Sequence, residues 1–358
     1  MRSNPVKLMK QLLLLVLVFP TLTFAQTETQ EDRLAELLVK FPAADADKDG
    51  ILTIAEARAF RDKRQAEPKA ERSKRSANRP DPTFADVVYG PHERNRLDVW
   101  IPEESPDDLP FPVVIYFHGG GFVGGDKSGF DPTDYLEAGI ACASVNYRFV
   151  NGDDSLSDAP LADAARAVQT VRAKNTEWNI DTGRVALTGS SAGALMVMWI
   201  GLHDDMANPD SEDPVETQST RVTCILPING PTNLMPDWIL ENIGGPAHVH
   251  GSFVKMFGQT ADSELKPEVR AQILEVSPWE HVSSDDPPVF LVYNGDLDEV
   301  PLPETVSTGK LIHHPQFGKA LKAKLAAAGV EAEFRYGFDP RGKPDLVDWL
   351  RTKFGLLE

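Results

Sequence analysis

The chain is 358 residues long and 41% apolar, and its 36 basic against 54 acidic side chains give a net charge of −18. That length suffices for one large core plus a small appendage. Such acidity argues against nucleic acid and anionic lipid surfaces as partners. The two cysteines, Cys142 and Cys224, exclude a disulfide-built scaffold. Both sit in apolar runs, 140–145 and 222–228, and read as buried free thiols, with a bridge left open until their geometry is known. No Cys/His spacing reads as zinc.

At the start, Arg2, Lys7 and Lys10 precede an apolar run from Leu12 through Val16 to Phe19, and Thr23-Phe24-Ala25 precedes Gln26. Basic, apolar and small segments in that order predict an export signal over 1–25. The run is too short for a membrane span, although an amphipathic anchor is a competing reading. The expectation is export to the periplasm or the extracellular space.

Residues 30–62 form a small helical unit around Asp45-Ala46-Asp47-Lys48-Asp49-Gly50-Ile51-Leu52-Thr53-Ile54-Ala55-Glu56. The run matches D-x-[DN]-x-[DN]-G-x5-E at every fixed position. Asp45, Asp47 and Asp49 supply hard oxygens and Gly50 a sharp turn. Ile51 offers its carbonyl, Thr53 a direct or water-borne contact, and Glu56 a bidentate carboxylate for Ca2+. Leu34, Leu37, Leu38 and Phe41 recur at helical spacing before it. The unit resembles an EF-hand; an acidic turn between two helices is the plainer alternative. A lone loop implies a structural calcium site, with a dissociation constant on the order of 10⁻⁴ M, unless a partner chain supplies a second hand. A basic linker, 63–83, follows with Lys63, Arg64, Lys69, Arg72, Lys74, Arg75 and Arg79.

Beyond residue 84 strand and helix patterns alternate, which predicts an α/β domain over 84–358 with a mostly parallel sheet flanked by helices. Strands are expected near 97–101, 112–117, 140–146, 184–188, 222–228, 288–294 and 331–336. Helices are expected near 159–176, 192–203, 315–328 and 343–354. Residues 235–286, with Trp238 and Trp279, interrupt the rhythm and read as a cap-like insert.

Two runs within this domain carry chemistry. His118-Gly119-Gly120-Gly121 ends one apolar strand, and Gly189-Ser190-Ser191-Ala192-Gly193 ends another. In the second, Ser191 is the central residue of a G-x-S-x-G turn, whose strained backbone needs small neighbours two residues away on either side. Ser191 is therefore the candidate nucleophile. The amides of Gly120, Gly121 and Ala192 are candidate donors to an oxyanion. The plainer alternative makes both runs ordinary glycine-rich turns.

These runs, with Tyr89-Gly90-Pro91, Asn146-Tyr147-Arg148 and Gly230-Pro231-Thr232-Asn233-Leu234, resemble the α/β-hydrolase esterases and lipases of the His-Gly-Gly-Gly, carboxylesterase and feruloyl-esterase-like branch. The resemblance implies ester hydrolysis without a catalytic cofactor, on a small-molecule or glycan ester. It also implies the chain order serine, acid, histidine. On that order the acid falls after the strand 288–293, with Asp298 first and Asp296 second. The histidine expected after the last strand is missing, because none follows His314. His314, then His313, is the expected base, with His248, His250 and His281 of the insert as alternatives. His118 reads as a brace for the glycine loop. An incomplete triad leaves open a non-catalytic binding protein, and a second copy of the chain is an admissible partner in either case.

Overall fold

The computed structural model describes Leu34, Leu38, residues 45–57 and 59, and residues 79–357 except 105–108, 151–154, 247–251, 261–263, 299 and 338–343. The expected export signal lies outside the described residues, as do most of the linker and both His248 and His250. The chain divides into two compact units, Met1–Glu67 and Pro68–Glu358.

In the first unit the acidic run is a loop that turns at Gly50, whose φ is +85°. A helix begins at Ile54. Its start is a reciprocal cap: the Glu56 amide donates to Thr53 Oγ1 at 3.2 Å, and the Thr53 amide donates to Glu56 Oε2 at 3.0 Å. Leu52 is buried, whereas the Ile51 side chain is exposed.

The second unit is built on one eight-stranded sheet. Its strands are β1 (Phe84–Val88), β2 (Arg96–Trp100), β3 (Phe111–Phe117), β4 (Ala141–Asn146), β5 (Ile180–Ser190), β6 (Cys224–Ile228), β7 (Val289–Val292) and β8 (Ala332–Arg335). They lie in the order β1-β2-β4-β3-β5-β6-β7-β8. The first two pairings are antiparallel and all later ones parallel. Every residue of β4 and β7 is buried, as expected of strands covered on both faces. The seven expected strands are all present. The unexpected one, β1, is an irregular edge strand without an apolar alternation that could announce it.

The helices are α1 (Thr133–Glu137), α2 (Ala162–Ala173), α3 (Asn175–Trp178), α4 (Ala192–Leu202), α5 (Pro236–Asn242), α6 (Phe253–Phe257), α7 (Pro267–Glu275), α8 (Thr308–Ile312), α9 (Gln316–Ala327) and α10 (Pro344–Lys353). Helix α4 is buried along its whole length. Its near-continuous apolar sequence, Ala-Gly-Ala-Leu-Met-Val-Met-Trp-Ile-Gly-Leu, is that of a helix enclosed on all sides. The stretch 235–286 holds α5, α6, α7 and a 3₁₀ turn, Pro278–His281. Trp238 sits 5.3 Å from Trp279 and stacks on Phe317 of α9 at 5.6 Å.

Cys142 on β4 and Cys224 on β6 are free and buried, which answers the question of a bridge. Burial pushes the Cys224 thiol up to about 12, so it stays protonated at neutral pH. Among the described residues no helix is long and apolar enough to cross a membrane.

Candidate active site

The register of the central strands assembles the site. Phe117 at the end of β3 pairs with Gly189 near the end of β5. The glycine run after β3 and the serine turn after β5 therefore emerge side by side at the carboxyl edge of the sheet, where open α/β sheets bind ligands. Ser191 occupies the bend between β5 and α4 with φ 56° and ψ −116°, a conformation that side-chain-bearing residues rarely adopt. Its amide donates to Ile228 O at 2.9 Å and its carbonyl accepts from Leu195 at 3.1 Å, which clamps the bend from both sides.

The flanking glycines are required by contact. A Cβ on Gly193 would stand 2.0 Å from Phe117 O, and one on Gly189 would stand 2.7 Å from the Gly193 backbone. Gly193→Ala should therefore force β3 and α4 apart. The expected loss is at least about 2 kcal/mol of unfolding free energy, read as a lower urea midpoint at unchanged slope.

In the glycine loop after β3, Gly120 has φ +122° and Gly121 φ +60°. The amides of Gly120, Gly121 and Ala192 donate to no acceptor among the described residues. The neighbouring Gly119 abuts the serine turn, where a Cβ would stand 2.8 Å from Ser190 O and 3.3 Å from Ser191 Cβ. The Ala192 amide opens α4, whose positive end favours negative charge.

The loop is braced from behind. His118 stacks on Tyr147 at 4.3 Å, and Tyr147 Oη donates to His118 O at 2.7 Å. His118 Nδ1 lies 2.8 Å from Gly119 O and must donate to it, so Nε2 is left to accept from Arg94 Nη2 at 3.4 Å. Burial lowers the His118 pKa, and the arginine charge adds to that. His118 is thus held in place through both ring nitrogens. Arg94, which also donates to Tyr147 O and Gly125 O and covers the Phe149 ring at 3.8 Å, carries no motif that could single it out. At the far end of the loop, Asp126 accepts from Ser128 N and Asn146 Nδ2. These bonds outweigh the effect of burial and hold its carboxyl at about 2.

The expected base requires a correction. The imidazole at the serine is that of His313, whose Nε2 lies 2.8 Å from Ser191 Oγ. His314 is 1% exposed. Its Nδ1 accepts from the Gln316 amide at 3.1 Å and caps α9. Burial lowers its pKa, opposed by the charge of Asp298.

The two histidines lie in the short connection between α8 and α9, where His314 is buried and His313 only partly so. Asp298 Oδ2 lies 2.6 Å from Lys310 Nζ. His281, the described alternative base of the insert, bonds to Glu275 O instead.

A cavity of about 540 Å³ lined by Arg148, Asp163, Arg166 and Glu216 includes none of these groups. Its arginines are bound to carboxylates, Arg148 to Asp163 at 2.8 Å and Arg166 to Asp213 at 2.6 Å, which leaves little net charge to recruit a ligand.

In the first unit, Asp45, Asp47 and Asp49 each bring a carboxylate oxygen within 4.8 Å of the other two. Glu56 folds back over the loop, accepting from Ala46 N at 3.0 Å and from the Thr53 hydroxyl at 2.7 Å. Asp47 accepts from Asp49 N, which lowers its pKa, yet desolvation and the neighbouring Asp49 and Glu56 charges outweigh that bond and raise it. The donor set is all oxygen, as Ca2+ requires.

The sheet order, the bend at Ser191 and the glycine loop together define an α/β-hydrolase fold. The family model BD-FAE matches residues 97–308, and the chain belongs to that family. It is 27% identical over 223 residues to a probable isoprenylcysteine alpha-carbonyl methylesterase of Arabidopsis thaliana, covering 60% of this chain and 44% of that protein. It is 26% identical over 224 residues to the probable carboxylic ester hydrolase LipM of Mycobacterium tuberculosis, covering 61% and 48%. The chain thus spans less than half the length of these curated relatives. A truncated carbohydrate esterase from gut microbiota superposes with a TM-score of 0.59 at 19% identity, over 76% of this chain and 96% of that one, and attests the fold.

Proposed function

We propose that the protein is an exported serine hydrolase of carboxylic esters. The observation that carries this reading is the 2.8 Å contact between Ser191 Oγ and His313 Nε2 at a strained bend flanked by unengaged amides. Ser191 Oγ attacks the ester carbonyl while His313 Nε2 takes its proton. The carbonyl oxygen, now anionic, rests on the amides of Gly120, Gly121 and Ala192. Collapse expels the alcohol, protonated by His313, and leaves an acyl-serine. Water, deprotonated by His313, then releases the acid.

A carboxylate in the segment after β7 orients the imidazole. Asp298 and Asp296 are the first two candidates and Glu299 the third, because all three follow the strand at the place the fold reserves for the acid. The substrate class is a small or carbohydrate-linked ester, in keeping with the esterase names of the relatives and of the structural neighbour. Residues 235–286 supply the cap that shapes the pocket.

Stoichiometric labelling of the purified protein by a fluorophosphonate probe, abolished in Ser191→Ala, tests the reading. Absence of labelling would leave an α/β-hydrolase-like binding protein.

The loop from Asp45 to Glu56 is proposed to hold one Ca2+ through Asp45, Asp47, Asp49, the Ile51 carbonyl, Thr53 and Glu56. Calorimetry should show one site with a dissociation constant on the order of 10⁻⁴ M. Asp45→Ala should abolish the heat, and unchanged affinity in that variant would refute the assignment.

A further inference from the structure

A second cluster of donors lies at the opposite end of α4 from Ser191. His203 caps the C-terminus of α4, Glu275 ends α7, and His281 ends the 3₁₀ turn that follows. Each brings one ligating atom within 4.8 Å of the other two. The imidazole rings are 4.6 Å apart, and His203 Nε2 is 3.5 Å from Glu275 Oε1.

The hydrogen bonds of the two rings fix which nitrogens are free. His203 Nδ1 lies 3.2 Å from Asp204 O, and His281 Nε2 lies 2.5 Å from Glu275 O. A carbonyl can only accept, so both nitrogens carry hydrogen. The lone pairs are left on His203 Nε2 and His281 Nδ1. An imidazole whose N–H is held by a backbone carbonyl is the arrangement that orients metal-binding histidines. The same Glu275 carbonyl also accepts from Trp199 Nε1 of α4 at 2.9 Å, which locks α7 to the helix. Two imidazoles and one carboxylate suit Zn2+ or a similar divalent transition metal and leave a position for water. The negative end of the α4 dipole favours a cation here as well.

We propose that His203, Glu275 and His281 bind a divalent transition-metal ion, zinc foremost, which staples the 235–286 insert to the C-terminal end of the helix that begins at the reactive serine. The ion is structural and takes no part in ester hydrolysis, so the proposal is independent of that activity.

The test titrates ZnCl2 into the full chain after removal of metals by chelation, with millimolar CaCl2 present, and reads calorimetry and thermal unfolding. One equivalent of zinc should bind and raise the melting temperature. His203→Gln, His281→Gln and Glu275→Gln, each checked for native circular dichroism, should each weaken binding by at least about tenfold. Asp45→Ala should bind zinc as the parent does. Absence of zinc binding by the parent overturns the proposal. So does undiminished binding by both histidine variants, or loss of binding in Asp45→Ala alone.

Discussion

Replacing Ser191 by alanine is expected to lower kcat for p-nitrophenyl acetate by at least about 10³-fold, with KM changed far less. On the proposed mechanism this hydroxyl forms the acyl intermediate, so its loss removes a reaction path rather than one contact. The residue stays partly accessible and alanine keeps the same Cβ at the same strained bend, so the melting temperature should change little. Residual hydrolysis in this variant would reflect substrate binding and the proposed oxyanion donors. Turnover within tenfold of the parent would show that Ser191 is not the nucleophile.

The second large effect separates two adjacent histidines. His313→Ala should reduce kcat by at least about 10³-fold while leaving stability nearly unchanged, because its ring faces Ser191 Oγ. His314→Ala should do the reverse. It removes a fully buried ring and the acceptor for the Gln316 amide, at a cost of roughly 1–3 kcal/mol, with kcat within tenfold of the parent. Paired kinetics and urea melts give a crossed pattern that neither a general folding defect nor a single shared role would produce. Extending the set to Asp296→Asn, Asp298→Asn and Glu299→Gln identifies the orienting carboxylate as the variant that loses kcat without losing Ser191 labelling by a small fluorophosphonate. If His314→Ala loses turnover and His313→Ala keeps it, the base is misassigned.

The cost of an arginine without a motif illustrates how such a site is supported. Arg94 reaches the glycine loop from the turn before β2, bonding His118, Tyr147 and Gly125 across sequence separations of 24 to 53 residues. Its partners are brought to it by strand pairing, so no local pattern in the chain could mark it. The three residues near the end of α4 are the same case. They stand 72 and 78 positions from His203 to Glu275 and His281, and no short spacing betrays them.

The amino-acid order by itself determined the alternation of strand and helix, the serine at the centre of its small-residue turn, the glycine loop and the acidic loop, because each is a local pattern whose chemistry acts over a few residues. The chain order does not separate His313 from His314, because both follow the acid segment and precede α9. Which imidazole meets the serine, where Asp298 spends its charge, and which distant donors gather at the end of α4 were decided only by tertiary structure. Those outcomes depend on strand register and helix rotation, where a single-residue change of phase turns a side chain from the core to the site.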